Sequence, residues 1–274
     1  MDKYWVNNGG AWTDATNHWA TSSGGTPDVG NLPTFSDNVF FDANSFSTTG
    51  QIVTIPSIYP VISQKASCND MDWTETAYPV TITHASSSNG CRLSIYGSII
   101  LVPGLTFSDS MFLRFRLLDN GTDTTIDCNG SALPILDIYK EDTAITLQGD
   151  FLGIEQFYLY SGTLNANNYN FTMTEGATVS FESGTTVNMG NGTWYVYTLN
   201  LVSGATVNCD LSTLQVYNIY NGITNLILNV VELMGSGSFS QNGFTANTLQ
   251  ESITGSDTRI FGKGETYTFK KLQY

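Results

Sequence analysis

The sequence predicts an all-β chain: a right-handed, single-stranded parallel β-helix, or solenoid, behind a loop-rich, Trp-containing N-terminal cap. Three observations predict it. The first is charge. Only 12% of the 274 residues are charged, about half the ~25% usual in soluble domains, while Gly (26), Asn (24), Ser and Thr abound. Exposed helix faces are usually filled with Glu, Lys and Arg, so this composition argues against helices. The second is a run of short alternating segments, rich in β-branched and aromatic residues and bounded by Gly, Asn, Asp or Ser. The third is a repeat: a strand, then Ser-Gly, then a second short strand ending in Asn.

The repeat is clearest in Phe157–Asn165, Val179–Asn188 and Leu199–Asn208. Its Ser161-Gly162, Ser183-Gly184 and Ser203-Gly204 pairs recur at a nearly constant step. A period of about 20–25 residues with two or three short strands per unit is the mark of stacked coils. Each coil satisfies the backbone of the next at a spacing of ~4.8 Å. Leu159, Phe181 and Leu201 then become one inward ladder, and Gly takes the corner that a Cβ would oppose. Asn165, Asn188 and Asn208 become a stacked amide ladder.

Residues 1–50 read as the cap. Trp5, Trp12 and Trp19 are evenly spaced in a heptad-like pattern, but Gly9-Gly10 and the Asn-rich filling oppose a heptad helix. Turns must instead reset the register between the three rings. A Gly/Pro/Asp stretch from Ser22 to Pro33 precedes a short strand at Asp37–Asp42. Residues 51–274 then read as the β-helix, about ten coils at ~22 residues each. Its strands include Ile52–Ile55, Val80–Thr83, Leu93–Tyr96, Ser98–Val102, Ile135–Ile138 and Ala144–Leu147. A pair of β-sandwiches is the rival, and repeated Asn-Gly pairs such as Asn129-Gly130 are its best support. Hairpins do not explain the constant step, so the solenoid is preferred.

The same composition excludes several functions. With 24 acidic and 10 basic residues the net charge is −14, so nothing is in excess to neutralise phosphates, and nucleic acid is not an expected partner. No stretch approaches the ~18 apolar residues of a membrane span. The opening Met1-Asp2-Lys3-Tyr4-Trp5 shows no secretory signal pattern. Cys68, Cys91, Cys128 and Cys209 are widely spaced, and only His18 and His84 could join them. No zinc site or other metal or cofactor is expected, and the four thiols read as buried and reduced.

The cap carries a resemblance. Tyr4-Trp5-Val6, Trp12-Thr13-Asp14, Asn17-His18-Trp19-Ala20-Thr21-Ser22-Ser23-Gly24-Gly25 and Asp37–Phe46 resemble a module at the start of β-helical proteins. These are proteins of tailed bacteriophages and of Bacteroidetes-type surface adhesins. Cys68–Trp73, Leu93–Ser98, Ser161–Asn170 and Phe261–Tyr267 look like its later segments. The resemblance implies a parallel β-helix on a particle or cell surface. It implies no reaction and carries no agreed functional residues.

The expectation that follows is a non-enzymatic structural protein of a virion surface: a head fibre, a capsid decoration or a tail component. It would be made in the host cytoplasm, and its partners would be other virion proteins, further copies of itself (a trimer, as in many phage β-helices) and host glycans. The alternative is a bacterial surface adhesin or glycan-binding module. A polysaccharide depolymerase is the third reading, and it would need paired acids in one groove.

Candidate acid pairs are Asp37/Asp42, Asp70/Asp72, Asp119/Asp123 and Glu141/Asp142. Spacing of two puts Asp70 and Asp72 on one strand face, an arrangement that suits Ca²⁺ binding or acid–base work, but ending a strand and bonding turn amides is the preferred role. From 156 to 230 the only acids are Glu175, Glu182 and Asp210, so no catalytic residues are assigned. His18 reads as a packed, hydrogen-bonded cap residue. For glycan contact the candidates are Trp194, Tyr195, Tyr197, Tyr217 and Tyr220, since exposed rings stack on sugars. Alternation would send about half of such a stripe inward. For partner docking the candidates are Arg259, Lys263, Lys270 and Lys271, four basic residues of a total of ten, gathered near the end of the sequence. They would dock the final coil onto another protein, or guard an exposed edge strand.

Overall fold

The computed structural model describes residues 1–57, 66–85, 90–108, 110–223, 226–234, 238–241 and 244–252, and short strands at 260–261, 268–269 and 272–273. The chain is 54% strand and 4% helix, with parallel coils stacked into a β-solenoid. It forms two compact units, 1–137 and 138–274.

In the first unit a full coil contributes three short strands, and like strands stack into three columns. One column runs Gly10–Ala11, Gln51–Ile55, Val80–His84 and Thr106–Phe107. The second runs Ala66–Cys68, Cys91–Ile95 and Leu113–Leu118. The third runs Asp2–Trp5, Asn38–Phe40, Met71–Asp72, Ile99–Ile100 and Thr124–Asp127. All these pairings are parallel. Alternation sends one side chain in two inward, so Val39, Met71, Ile99 and Ile126 form a buried ladder. Leu93 and Phe115 form another.

The cap is the start of this stack. Trp5, Trp12 and Trp19 converge on Phe41, all essentially buried, with ring centroids 4.9–6.3 Å apart in edge-on and offset arrangements. Trp73, from the next coil, stacks flat on Phe41 at 3.5 Å. The turns expected between the Trp residues include one turn of helix, Ala15–His18, closed by the Asp14 carbonyl accepting from the His18 amide. Packing supports this turn, because Ala15 and His18 are both buried. Asp2–Trp5 also pairs antiparallel with Trp19–Ala20, which covers the edge opposite Asn38–Phe40.

In the second unit the repeat reads directly as register. Leu159, Phe181 and Leu201 stand opposite one another, as do Phe157, Val179, Leu199 and Ile219. A third inward column runs Phe151, Phe171, Trp194, Leu214 and Val231, its aromatic rings stacked at 4.6 and 4.3 Å. The amide ladder forms: Asn188 Nδ2 donates to Asn165 Oδ1 (2.6 Å) and Asn208 Nδ2 to Asn188 Oδ1 (2.7 Å). At the Ser-Gly corners Gly162, Gly184 and Gly204 have φ of 96°, 82° and 93°, a region that side chains rarely adopt. A Cβ on Gly204 would also lie 2.5 Å from Ser183 Oγ in the coil below.

Successive rungs are not evenly spaced along the sequence. Val39, Met71, Ile99 and Ile126 are successive rungs of the first unit, spaced by roughly 30 residues. Val179, Leu199 and Ile219 are successive rungs of the second, spaced by roughly 20 residues.

Two variants test the ladders by denaturant unfolding. Phe181→Ala should lose about 3–5 kcal/mol, the cost of a cavity in a close-packed column. Asn188→Ala breaks two amide bonds and should cost about 1–3 kcal/mol, roughly twice the loss for Asn165→Ala, which breaks one. Equal losses for the two Asn variants would contradict a cooperative ladder.

Candidate functional site

The tyrosines of the second unit form an outer face. Tyr195 and Tyr197 lie on one strand, Thr193–Leu201, and Tyr217 on the next, Thr213–Asn221. Tyr217 packs edge-on against Tyr195 (6.4 Å) and obliquely against Tyr197 (4.7 Å). All three are half-buried, and Tyr220, opposite Asn200 farther along the strand, is exposed. Burial, a hydrogen bond with Tyr217 and the Glu175 carboxylate push the Tyr195 phenol up to about 12. Tyr158, Tyr160 and Tyr139 form a second stacked group, with centroids 5.6 and 4.5 Å apart.

Trp194 does not belong to that face. It is 1% exposed, stacked on Phe171, with its indole nitrogen donating to the Met189 carbonyl. The strand pleat decides this. Trp194 and Val196 share the inward phase, so Tyr195 and Tyr197 take the outward one. Arg259, Lys263, Lys270 and Lys271 lie outside the described residues.

A second feature had no single signal in the sequence. Tyr4 stacks on Phe40 at 5.1 Å and forms one wall of a small pocket of about 210 Å³. Asp42, Asp72 and Glu75 contribute three carboxylates to the same pocket. The parallel register sets Phe40 beside Asp72 of the next coil, and so assembles it. Asp72 Oδ1 accepts from the Thr74 amide and hydroxyl, and Asp42 Oδ1 from the Asn44 amide. An aromatic wall beside carboxylate acceptors can hold a sugar ring, whose C–H face stacks while its hydroxyls donate.

Several other acids are engaged by turn groups or by Arg. Asp70 Oδ1 accepts from the Ser98 amide, and a Cβ on Gly97 would collide with that oxygen, so Gly97 is required there. Asp70 and Asp72 thus each bind turn groups separately. Burial would raise the Asp37 carboxyl, but bonds from the Thr34 hydroxyl and amide and from the N-terminal ammonium hold it below its ordinary value. Asp119 caps its own turn through the Gly121 amide. Asp137 is buried, and both its oxygens accept from Arg114 Nη1 at 2.6 Å. Among the described residues no three of His, Cys, Asp and Glu converge as a metal site would require.

His18 lies flat on Trp5 (4.6 Å), and its Nδ1 is 3.0 Å from the Val6 carbonyl oxygen. A Cβ on Gly10 would overlap its Nε2. The geometry is that of a packed cap residue. The four cysteines are buried free thiols. Burial, then the neighbouring Asp70 carboxylate, raises the Cys68 thiol well above its ordinary value. Burial, then Asp210, raises that of Cys209 to about 12.

Compared with known proteins, the chain matches no family model, no curated protein and no solved structure.

The thiols give a prediction with a defined sign. Between pH 9 and 12 an unfolded Cys209 ionises while the folded one stays neutral, so its contribution to stability is full below about pH 9 and is lost as pH rises towards 12. A disulfide-exchange reagent in mildly alkaline buffer should therefore leave all four thiols unmodified in the native protein and modify all four in denaturant. Fast native reaction at Cys209 would show that its burial is wrong.

Proposed function

We propose that this protein is a non-enzymatic structural element of a bacteriophage virion surface: a head fibre, a capsid decoration or a tail component. The observation that carries the reading is the stacked ladder set of the second unit. Aromatic columns inside and an amide ladder at the strand ends tie successive coils together. Such a stack resists bending and suits a spacer. The virion setting rests on the resemblance of the Trp-rich cap, and the partners in this reading are other virion proteins and further copies of the chain. The described acids support it as well, since several cap turns or pair with Arg.

A bacterial surface adhesin or glycan-binding module is the second reading. Two observations favour it: the tyrosine face around Tyr217 and the carboxylate pocket beside Tyr4 and Phe40. Glycan contact is compatible with a virion role too, because surface fibres touch host envelopes.

Mass spectrometry of purified particles separates the two readings. The virion reading expects this chain at many copies per particle. Its absence from particles, with recovery in host outer-membrane fractions, would overturn that reading and leave the adhesin. Glycan binding by the tyrosine face is tested on immobilised polysaccharide: Tyr217→Ala with Tyr220→Ala should weaken it roughly tenfold, the loss of ~1.4 kcal/mol of stacking. Unchanged binding in that double variant would exclude the face.

A further inference from the structure

Among the described residues the amide ladder stops at Asn208, and the stop has a structural cause. Asn229 follows Leu228 on the next coil, and Asn247 on the coil after that keeps the same chemistry, its Nδ2 3.4 Å from Asn229 Oδ1. Yet Asn229 Nδ2 donates to the Ser212 carbonyl (3.3 Å) and not to Asn208. The coils separate here. They are joined at one side by the Gly222 amide donating to the Leu201 carbonyl, and at the other by the Val230 amide donating to the Ser212 carbonyl. Between those points lies a bay of about 660 Å³, flanked by Thr206–Asn208 on one coil and Leu226–Asn229 on the next. That volume is in the range of ligand sites, ~300–1,000 Å³.

Both flanks are strand edges. Thr206–Asn208 pairs with Thr186–Asn188 on one side only, and Leu226–Leu228 with Phe244–Ala246 on one side only, among the described residues. The Thr206 amide donates to the Thr185 carbonyl, and the Asn208 carbonyl accepts from the Met189 amide. Successive residues of a strand direct their backbone groups to opposite edges, so the N–H and C=O of Val207 face the bay. The side chains agree. Leu164 and Val187, the equivalent rungs below, are fully buried, whereas Val207 is partly exposed, with no described rung covering it. Ile227 on the other flank is 59% exposed.

We propose that this bay is a strand-addition site that binds an extended segment of a partner protein, parallel to Thr206–Asn208 and of Thr-Val-Asn character. The inserted backbone would bond Val207. Its apolar residue would cover the Val207 side chain, and its amide would donate to Asn208 Oδ1, in the sense already set by Asn188 and Asn208. The chain itself shows what such a rung looks like, because Thr186-Val187-Asn188 fills the same role on the other edge of Thr206–Asn208. That strand and Thr206–Asn208 are already paired in this chain, and would be in any second copy, so the segment comes from a different protein. The inference does not depend on the virion reading.

Two measurements on the full chain test it. Hydrogen exchange followed by NMR should find the Val207 amide exchanging at least 100-fold faster than those of Thr206 and Asn208. Comparable protection at all three would mean that the edge is closed, and would overturn the proposal. Second, a fluorescent peptide with the sequence of residues 183–190, Ser-Gly-Thr-Thr-Val-Asn-Met-Gly, should bind with a Kd below roughly 1 mM, and a scrambled peptide should not. Binding should slow Val207 exchange. Val207→Pro removes a bay-facing N–H without touching the bonds to the strand below, and should abolish binding. Asn208→Ala, which keeps the backbone, should weaken it at least threefold. Equal binding of both peptides, no binding of either, or full binding by a folded Val207→Pro variant would each overturn the proposal.

Discussion

Parallel pairing of successive coils at a fixed spacing of ~4.8 Å is the constraint from which the rest follows. It places each residue directly against its equivalent in the next coil, so every position must tolerate a neighbour of similar kind. Aliphatic and aromatic residues tolerate this by stacking, as in the Phe151–Phe171–Trp194 column. Asn tolerates it because one amide both donates and accepts, as Asn188 does between Asn165 and Asn208. Like charges directly opposed repel, and where the register does oppose Arg92 and Arg114, the Asp137 carboxylate holds Arg114. A charged fraction of 12% is thus a consequence of the architecture.

The same constraint creates a problem at strand edges, where unpaired N–H and C=O groups invite other chains. In the first unit the strand Asp2–Trp5 meets it locally. One edge joins the parallel stack at Asn38–Phe40, and the other takes the antiparallel Trp19–Ala20 strand. The aromatic cluster around Phe41 fixes that arrangement, because Trp5 and Trp19 are register partners and both rings pack on Phe41. Where Thr206–Asn208 and Leu226–Leu228 lose each other, no such cover is present among the described residues, and a usable edge is left in the wall.

Polar chemistry is distributed accordingly. Inside, polar groups serve the stack: Asp137 holds Arg114, and the Ser45 hydroxyl donates to the Trp5 carbonyl. Outside, the pleat leaves alternate residues available, and there the tyrosines gather. At the Tyr4–Phe40 pocket aromatic and acidic groups from consecutive coils open together onto solvent, which is why it supports the glycan-binding reading.

The periodicity of the sequence by itself determined the solenoid of the second unit, its Leu159–Phe181–Leu201 ladder, its positive-φ glycine corners and its amide ladder. Each follows from a local pattern repeated at a nearly constant step, so equivalence in sequence becomes contact in space. Where the step is longer and varies, as from Val39 to Met71, Ile99 and Ile126 in the first unit, strands were legible but their grouping into coils was not. The inward phase of Trp194 was not legible either, because alternation fixes which residues share a face but not which face is buried. The ladder from Phe171 to Leu214 decides that. The Tyr4 pocket and the bay beside Val207 depend on which distant residues the coil register sets side by side, or holds apart, and only the tertiary structure specifies that.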